Sequence, residues 1–188
     1  MLDEAAVALL LDEFRQKAEP LGVAVWRVSG VAEAVAVITE WIASLGAASV
    51  VVASELGQRA PGLPAGLEAA GVEVRPSLVP EETRDAPVGL SLAHLAVAET
   101  GSALLAEPSL EDRSVGMLTL AQAIVCPTSA LAPTLDEAVP LLREIALRPG
   151  GSFSTLVTGP SRTADIERVL TVGVQGPGVV MVLFVDEL

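Results

Sequence analysis

At 188 residues the chain is long enough for one domain of ordinary size with a full hydrophobic core. Hydrophobic residues make up 51% of it and aromatic residues only 3%, so that core is built of small aliphatic side chains. The formal net charge is −13, with Lys17 the single lysine among 11 basic residues, which excludes a sequence-independent nucleic-acid surface. In such a chain an arginine beside a glycine turn stands out. Cys126 is the only cysteine, which excludes an intrachain disulfide and a thiolate cluster for zinc or iron–sulfur. It lies in an apolar run and reads as a buried, inert thiol. No apolar run approaches the length of a bilayer span, and the N-terminus lacks the pattern of a signal peptide. The expected location is the cytoplasm.

Residues 2–19 form an amphipathic helix, with Val7, Leu10, Leu11, Phe14 and Ala18 on one face. Pro20 and Gly22 end it, and residues 23–28 are a strand. Ser29 is the expected cap of a second helix, whose apolar stripe is Val31, Ala34, Val35, Ile38, Ile42 and Leu45, closed by Gly46. Residues 49–53 are a continuous apolar run of the kind buried on both faces of a parallel sheet. Residues 58–66, with two prolines and two glycines, read as a loop. A short helix at 67–70, a third strand at 72–74 and an exposed connection at 76–87 follow. Alternating strands and helices predict an α/β protein with a mostly parallel sheet.

The second half has a different pattern. Runs 95–98 and 103–106 are too close for a crossover helix, so they are a hairpin or one strand bent at Gly101. Residues 113–120 read as a loop or single helical turn, and 121–126 as a buried strand. Thr134 and Glu137 have capping-box spacing, but Pro140 beyond them implies a kink or a later helix start. A strand at 153–157 stops at Thr158-Gly159-Pro160. A helix is expected to start near Ser161 to Thr163, with Ser161 as its cap and Asp165 in its first turn. Residues 179–185 form the last strand.

Two glycine turns follow apolar strands, Thr100-Gly101-Ser102 and Thr158-Gly159-Pro160-Ser161. Ligands of open α/β sheets gather beyond the carboxyl ends of strands, so both turns can face one crevice. Backbone N–H groups at the helix start, with Arg162 beside them, then suit a phosphate or carboxylate. The plain alternative is two unrelated tight turns. Glu99, at a strand end before a glycine, has the place of a nucleophile or general base, or of a solvated turn residue. His94 is the only histidine and reads as structural. No ligand spacing for a metal is present, and neither a dinucleotide fingerprint nor a Walker loop occurs.

The combination Ala98-Glu-Thr-Gly-Ser102, Arg113, Thr158-Gly-Pro-Ser-Arg-Thr-Ala-Asp-Ile-Glu167 and Gly173-Val-Gln-Gly-Pro177 resembles the lactate-utilisation protein C (LutC) family, built on the LUD domain. The resemblance covers the chain from about residue 23 to the end. It implies a single LUD domain over residues 1–188, including the helix at 2–19. It also implies a three-layer α/β/α fold similar to the NagB/RpiA/CoA-transferase group. The implied role is oxidation of L-lactate to pyruvate together with two iron–sulfur partner proteins, of A and B type, this chain carrying no cofactor of its own. On this reading Thr100, Gly101, Ser102, Arg113, Gly159, Ser161, Arg162, Thr163, Asp165, Gln175 and Gly176 hold a small anionic metabolite. The alternative is a CoA-transferase-like enzyme or metabolite sensor that uses Glu99 and the two turns. The family motif usually has His where this chain has Gln175, and a second family His corresponds to Gln122. Glutamine keeps a hydrogen-bonding group but cannot shuttle a proton near neutral pH.

Overall fold

A computed structural model of the chain describes residues 3–107, 109–148, 153–163 and 171–188. Its helices are α1 (Glu4–Ala18), α2 (Val31–Ser44), α3 (Ser54–Arg59), α4 (Gly62–Ala69), α5 (Pro80–Thr83), α6 (Leu110–Leu118) and α7 (Ala138–Ala146). Its strands are β1 (Val23–Gly30), β2 (Ser49–Val52), β3 (Glu73–Pro76), β4 (Val88–Leu92), β5 (Leu95–Val97) and β6 (Ser102–Ala106). They continue with β7 (Ala121–Pro127), β8 (Leu131–Ala132), β9 (Ser154–Val157), β10 (Arg162–Thr163), β11 (Thr171–Val172) and β12 (Val179–Glu187).

Six strands form one sheet in the order β1-β12-β7-β4-β2-β3, and every pair in it is parallel. Its central strands are buried on both faces, which is why β2, β7 and β12 read as continuous apolar runs. On one face α2, α3 and α4 supply Ile38, Ile42, Leu56, Leu63 and Leu67 against Val50, Leu90 and Met181. On the other, α1 sets Leu11, Phe14 and Ala18 against Val25, Ile124 and Val182. The Phe14 and Phe184 rings meet edge to face at 5.1 Å.

That second face departs from the expected α/β/α layering. Beside α1 and α6, it is covered by a second, mixed sheet in the order β8-β5-β6-β9. Ala96 and Ala103, on β5 and β6, pack against the main sheet as a helix face would. β5 and β6 are antiparallel, so the hairpin alternative is the one observed.

Several local expectations are corrected. Ser29 does not cap α2: β1 continues to Gly30, which pairs with Glu187, and Gly30 is the N-cap. The Ser29 N–H instead donates to the Glu33 carboxylate at 2.9 Å. Residues 58–66 are mostly helical. Gly66 is there for packing, since a Cβ on it would stand 2.5 Å from Val35 Cγ2, and Pro64 sits in the first turn of α4, where proline is tolerated. Strand β4, not anticipated, is fully buried, and Gly89 within it makes room for Val115 and Thr119 of the α6 end. Residues 76–87 contain α5, and α6 is a nine-residue helix capped by Ser109, where a loop or single turn is expected. Thr134 makes no side-chain cap; α7 starts at Ala138, which places Pro140 in its first turn.

Candidate functional site

Where a helix is expected to start, Arg162 and Thr163 form part of a ribbon, and the rest of that expected helix, 164–170, lies outside the described residues. Arg162 pairs with Val172 and Thr163 with Thr171 in the short antiparallel pair β10–β11. Ser161 is occupied on every side: its N–H donates to Pro177 O at 2.9 Å, its carbonyl accepts from Gly173 N–H at 2.8 Å, and its hydroxyl donates to Gln175 O at 2.5 Å. These bonds fasten the two halves of the long motif to each other. They also remove the proposed helix N-terminus as an anion site. Asp165 falls in 164–170, outside the described residues.

A cavity of about 740 Å³ opens against this ribbon. Gly159, Ser161, Arg162, Gln175 and Gly176 line it, together with Thr158, Gln122, Arg84 and Asp85. Thr155, Leu156 and Val157 line it too. Successive residues of a strand point to opposite faces, so the cavity runs along the edge of β9. Its floor is formed by Gln122 and Val180, near the first residues of β7 and β12. The cavity therefore lies at the amino ends of the parallel strands. The expectation of a crevice beyond their carboxyl ends does not apply, because both glycine turns belong to the smaller sheet.

The first turn is joined to the second but stays outside the cavity. Ala103 pairs with Val157 across β6 and β9, which brings Ser102 Oγ to 2.9 Å from Thr158 Oγ1. Gly101 packs on the end of α1 instead. It has φ +64°, a Cβ on it would lie 2.8 Å from Ala18 N, and its own N–H donates to Val97 O. Thr100 Oγ1 is buried without a partner, and Thr100 does not line the cavity. Glu99 is exposed, and its Oε2 accepts from Leu135 N–H at 3.0 Å, which caps the 3₁₀ turn before α7. Arg113 is also outside: its Nε donates to Ser109 O at 3.0 Å and its guanidinium stands 4.7 Å from the Phe153 ring centroid.

Charge at the cavity is set by three side chains. Arg84 and Arg162 make no ion pair among the described residues, and Asp85 lies beside Arg84. Asp85 has φ 60°, the one positive φ outside glycine among the described residues, and its N–H donates to Leu118 O at 3.0 Å. Arg162 lines the cavity and remains exposed, and its Nη2 is anchored by a hydrogen bond to Leu21 O. Neither Arg84, Asp85 nor the β9 edge belongs to a sequence pattern that singles them out.

At the opposite, carboxyl edge several polar groups bond to one another, while Glu107 Oε1 and Thr128 Oγ1 are buried without partners. His94 Nδ1 accepts from Ala106 N–H at 3.2 Å, so Nε2 bears the hydrogen that faces Glu55 Oε1 at 3.1 Å. That bond holds Glu55 below the usual carboxylate range. Asp112 accepts from Ser54 N–H and from the Ser77 hydroxyl. Glu107 is buried with Oε1 unpartnered, and burial pushes its pKa up to about 7, helped by the Asp112 and Glu55 carboxylates. Ser91 and Arg113 act the other way. Cys126 is fully buried, and burial pushes its thiol up. Among the described residues no group of three His, Cys, Asp or Glu is placed to hold a metal ion, and no helix is long and apolar enough to cross a membrane.

The comparisons with known proteins agree on the family. Lactate utilization protein C of Bacillus velezensis is 33% identical over 100 residues, 52% of this chain and 41% of that protein. Lactate utilization protein C of Halalkalibacterium halodurans is 32% identical over 102 residues, 52% of this chain and 43% of that protein. The matched segment thus spans less than half the length of either relative. In fold, the chain is similar to a DUF162 family protein from Deinococcus radiodurans, whose crystal structure superposes with a TM-score of 0.67 at 21% identity, covering 98% of this chain and 99% of that one. The family model of the LUD domain matches residues 11–185, nearly the whole chain with the cavity included: the chain belongs to the LUD domain family.

Proposed function

We propose that residues 1–188 act as one LutC-like LUD domain that binds an anionic metabolite in the cavity at the amino ends of β7 and β12. In this reading it supports the oxidation of L-lactate to pyruvate in the cytoplasm, beside iron–sulfur proteins of A and B type. The observation that carries the binding half is the placement of Arg84 and Arg162 on one cavity without ion-pair partners among the described residues, in a chain of charge −13. A guanidinium that is not neutralised locally is what makes a pocket of an acidic protein attractive to an acid. The pathway half is supported by the similarity to lactate utilization protein C. Electron transfer then rests with the partners, since the one thiol, Cys126, is buried away from the cavity.

The test is genetic. A strain lacking the gene is expected to grow poorly on L-lactate. The wild-type gene restores growth, and a gene carrying Arg84→Ala and Arg162→Ala does not. Normal lactate oxidation in the deletion strain contradicts the pathway role.

A further inference from the structure

Gln122 is 1% exposed, yet it forms part of the cavity floor. Its amide has a defined orientation. Nε2 donates to Ser91 Oγ at 3.2 Å, inside the main sheet between β7 and β4. Ser91 Oγ accepts that bond, which occupies the nitrogen end of the amide. Gly116 adds a packing constraint: a Cβ there would meet Gln122 Nε2 at 2.8 Å, so the glycine leaves room for the amide.

The atom left over is Gln122 Oε1, which takes no hydrogen bond from any described residue. An amide oxygen only accepts. We propose that Gln122 Oε1 selects the ligand by demanding a hydrogen-bond donor, so that the site takes hydroxy acids in preference to the matching oxo acids. The inference rests on the anion-binding reading of the same cavity, with Arg84 and Arg162 supplying the charge. A ligand hydroxyl donates to Oε1. A ketone oxygen sets lone pair against lone pair. Glutamine takes no proton from that hydroxyl, so the role is recognition. A cavity of about 740 Å³ is of the size that encloses ligands well beyond a three-carbon acid, so larger hydroxy acids belong to the expected class.

Isothermal titration calorimetry of the full chain with matched pairs tests this: L-lactate and pyruvate, 2-hydroxyglutarate and 2-oxoglutarate, mandelate and phenylglyoxylate. The hydroxy member of at least one pair is expected to bind about tenfold tighter, the equivalent of one good hydrogen bond. Gln122→Met is expected to bring that ratio near one. Ser91→Ala, a smaller change that frees the amide to turn, is expected to narrow it, and thermal melting verifies that each variant is folded. Equal affinities within every pair, or a ratio unchanged in both variants, overturn the inference while leaving the anion site standing. Failure of every acid to bind overturns both.

Discussion

Ser102 Oγ lies 2.9 Å from Thr158 Oγ1, and this contact is where the two glycine turns of the sequence meet. Thr158 lines the cavity and Ser102, buried behind it, does not. The first turn thus supports the wall of the site from outside. Ser102→Ala is expected to cost about 1 kcal/mol, the usual net worth of one hydrogen bond. Chemical denaturation checks it. Anion affinity should change by less than about threefold, since Thr158 keeps its backbone position.

Gly101→Ala separates architecture from binding more sharply. The residue sits at φ +64° with α1 backbone 2.8 Å from the site of a new Cβ, so strain and overpacking add. A loss of about 2–4 kcal/mol in unfolding free energy is expected. A variant as stable as the wild type would show that α1 does not pack there.

Gly66→Ala runs against the usual rule for helix interiors. Alanine normally stabilises a helix over glycine by about 1 kcal/mol. Here the new Cβ would meet Val35 Cγ2 at 2.5 Å, and β-branched valine has little freedom to move aside. Net destabilisation of about 1–3 kcal/mol is expected, and Val35→Ala in the same chain should recover much of it.

Glu107 makes stability depend on pH. Its folded pKa of about 7 is above the ordinary carboxyl value, so the fold favours the protonated form. The contribution is fully present below about pH 4.5 and is lost as pH rises through 7, an upper bound of about 3 kcal/mol. Glu55 and Asp186 are shifted the other way: their contributions are present above the ordinary carboxyl value and are lost as pH falls below it, outside the window in which Glu107 acts. Denaturation at pH 5.5 and 8 should show the wild type losing stability across that window. Glu107→Gln, which carries no charge, should flatten the slope.

Much of the fold is legible in the residues, and the exceptions have a common cause. β2, β7 and β12 announce themselves as apolar runs because both faces of the parallel sheet are covered. β4 is equally central, but Gly89 and Ser91 break its pattern. One makes room for α6 and the other holds Gln122, and both needs arise only from tertiary contacts. Gly66 misled in the same way, resembling a loop glycine when Val35 is what requires it. At the site, the stretches 158–163 and 171–177 stand out as a motif because they bind each other locally. Arg84, Asp85 and the edge of β9 reach the cavity from distant segments, and nothing in their local spacing reveals it.

The most direct test of the account is whether Arg84 and Arg162 bind an anion in this cavity. Thermal shift with lactate, pyruvate, sugar phosphates, nucleotides and CoA esters measures it. A ligand at about 100 times its dissociation constant adds about 2.7 kcal/mol of stability, a readily measured rise in melting temperature. Arg162 is exposed and Arg84 is exposed, so Arg84→Ala with Arg162→Ala should melt like the wild type without ligand. The account predicts that at least one anion of the panel stabilises the wild type and that the double variant loses that shift. An equal shift in the double variant, or none from any anion in the wild type, would contradict it.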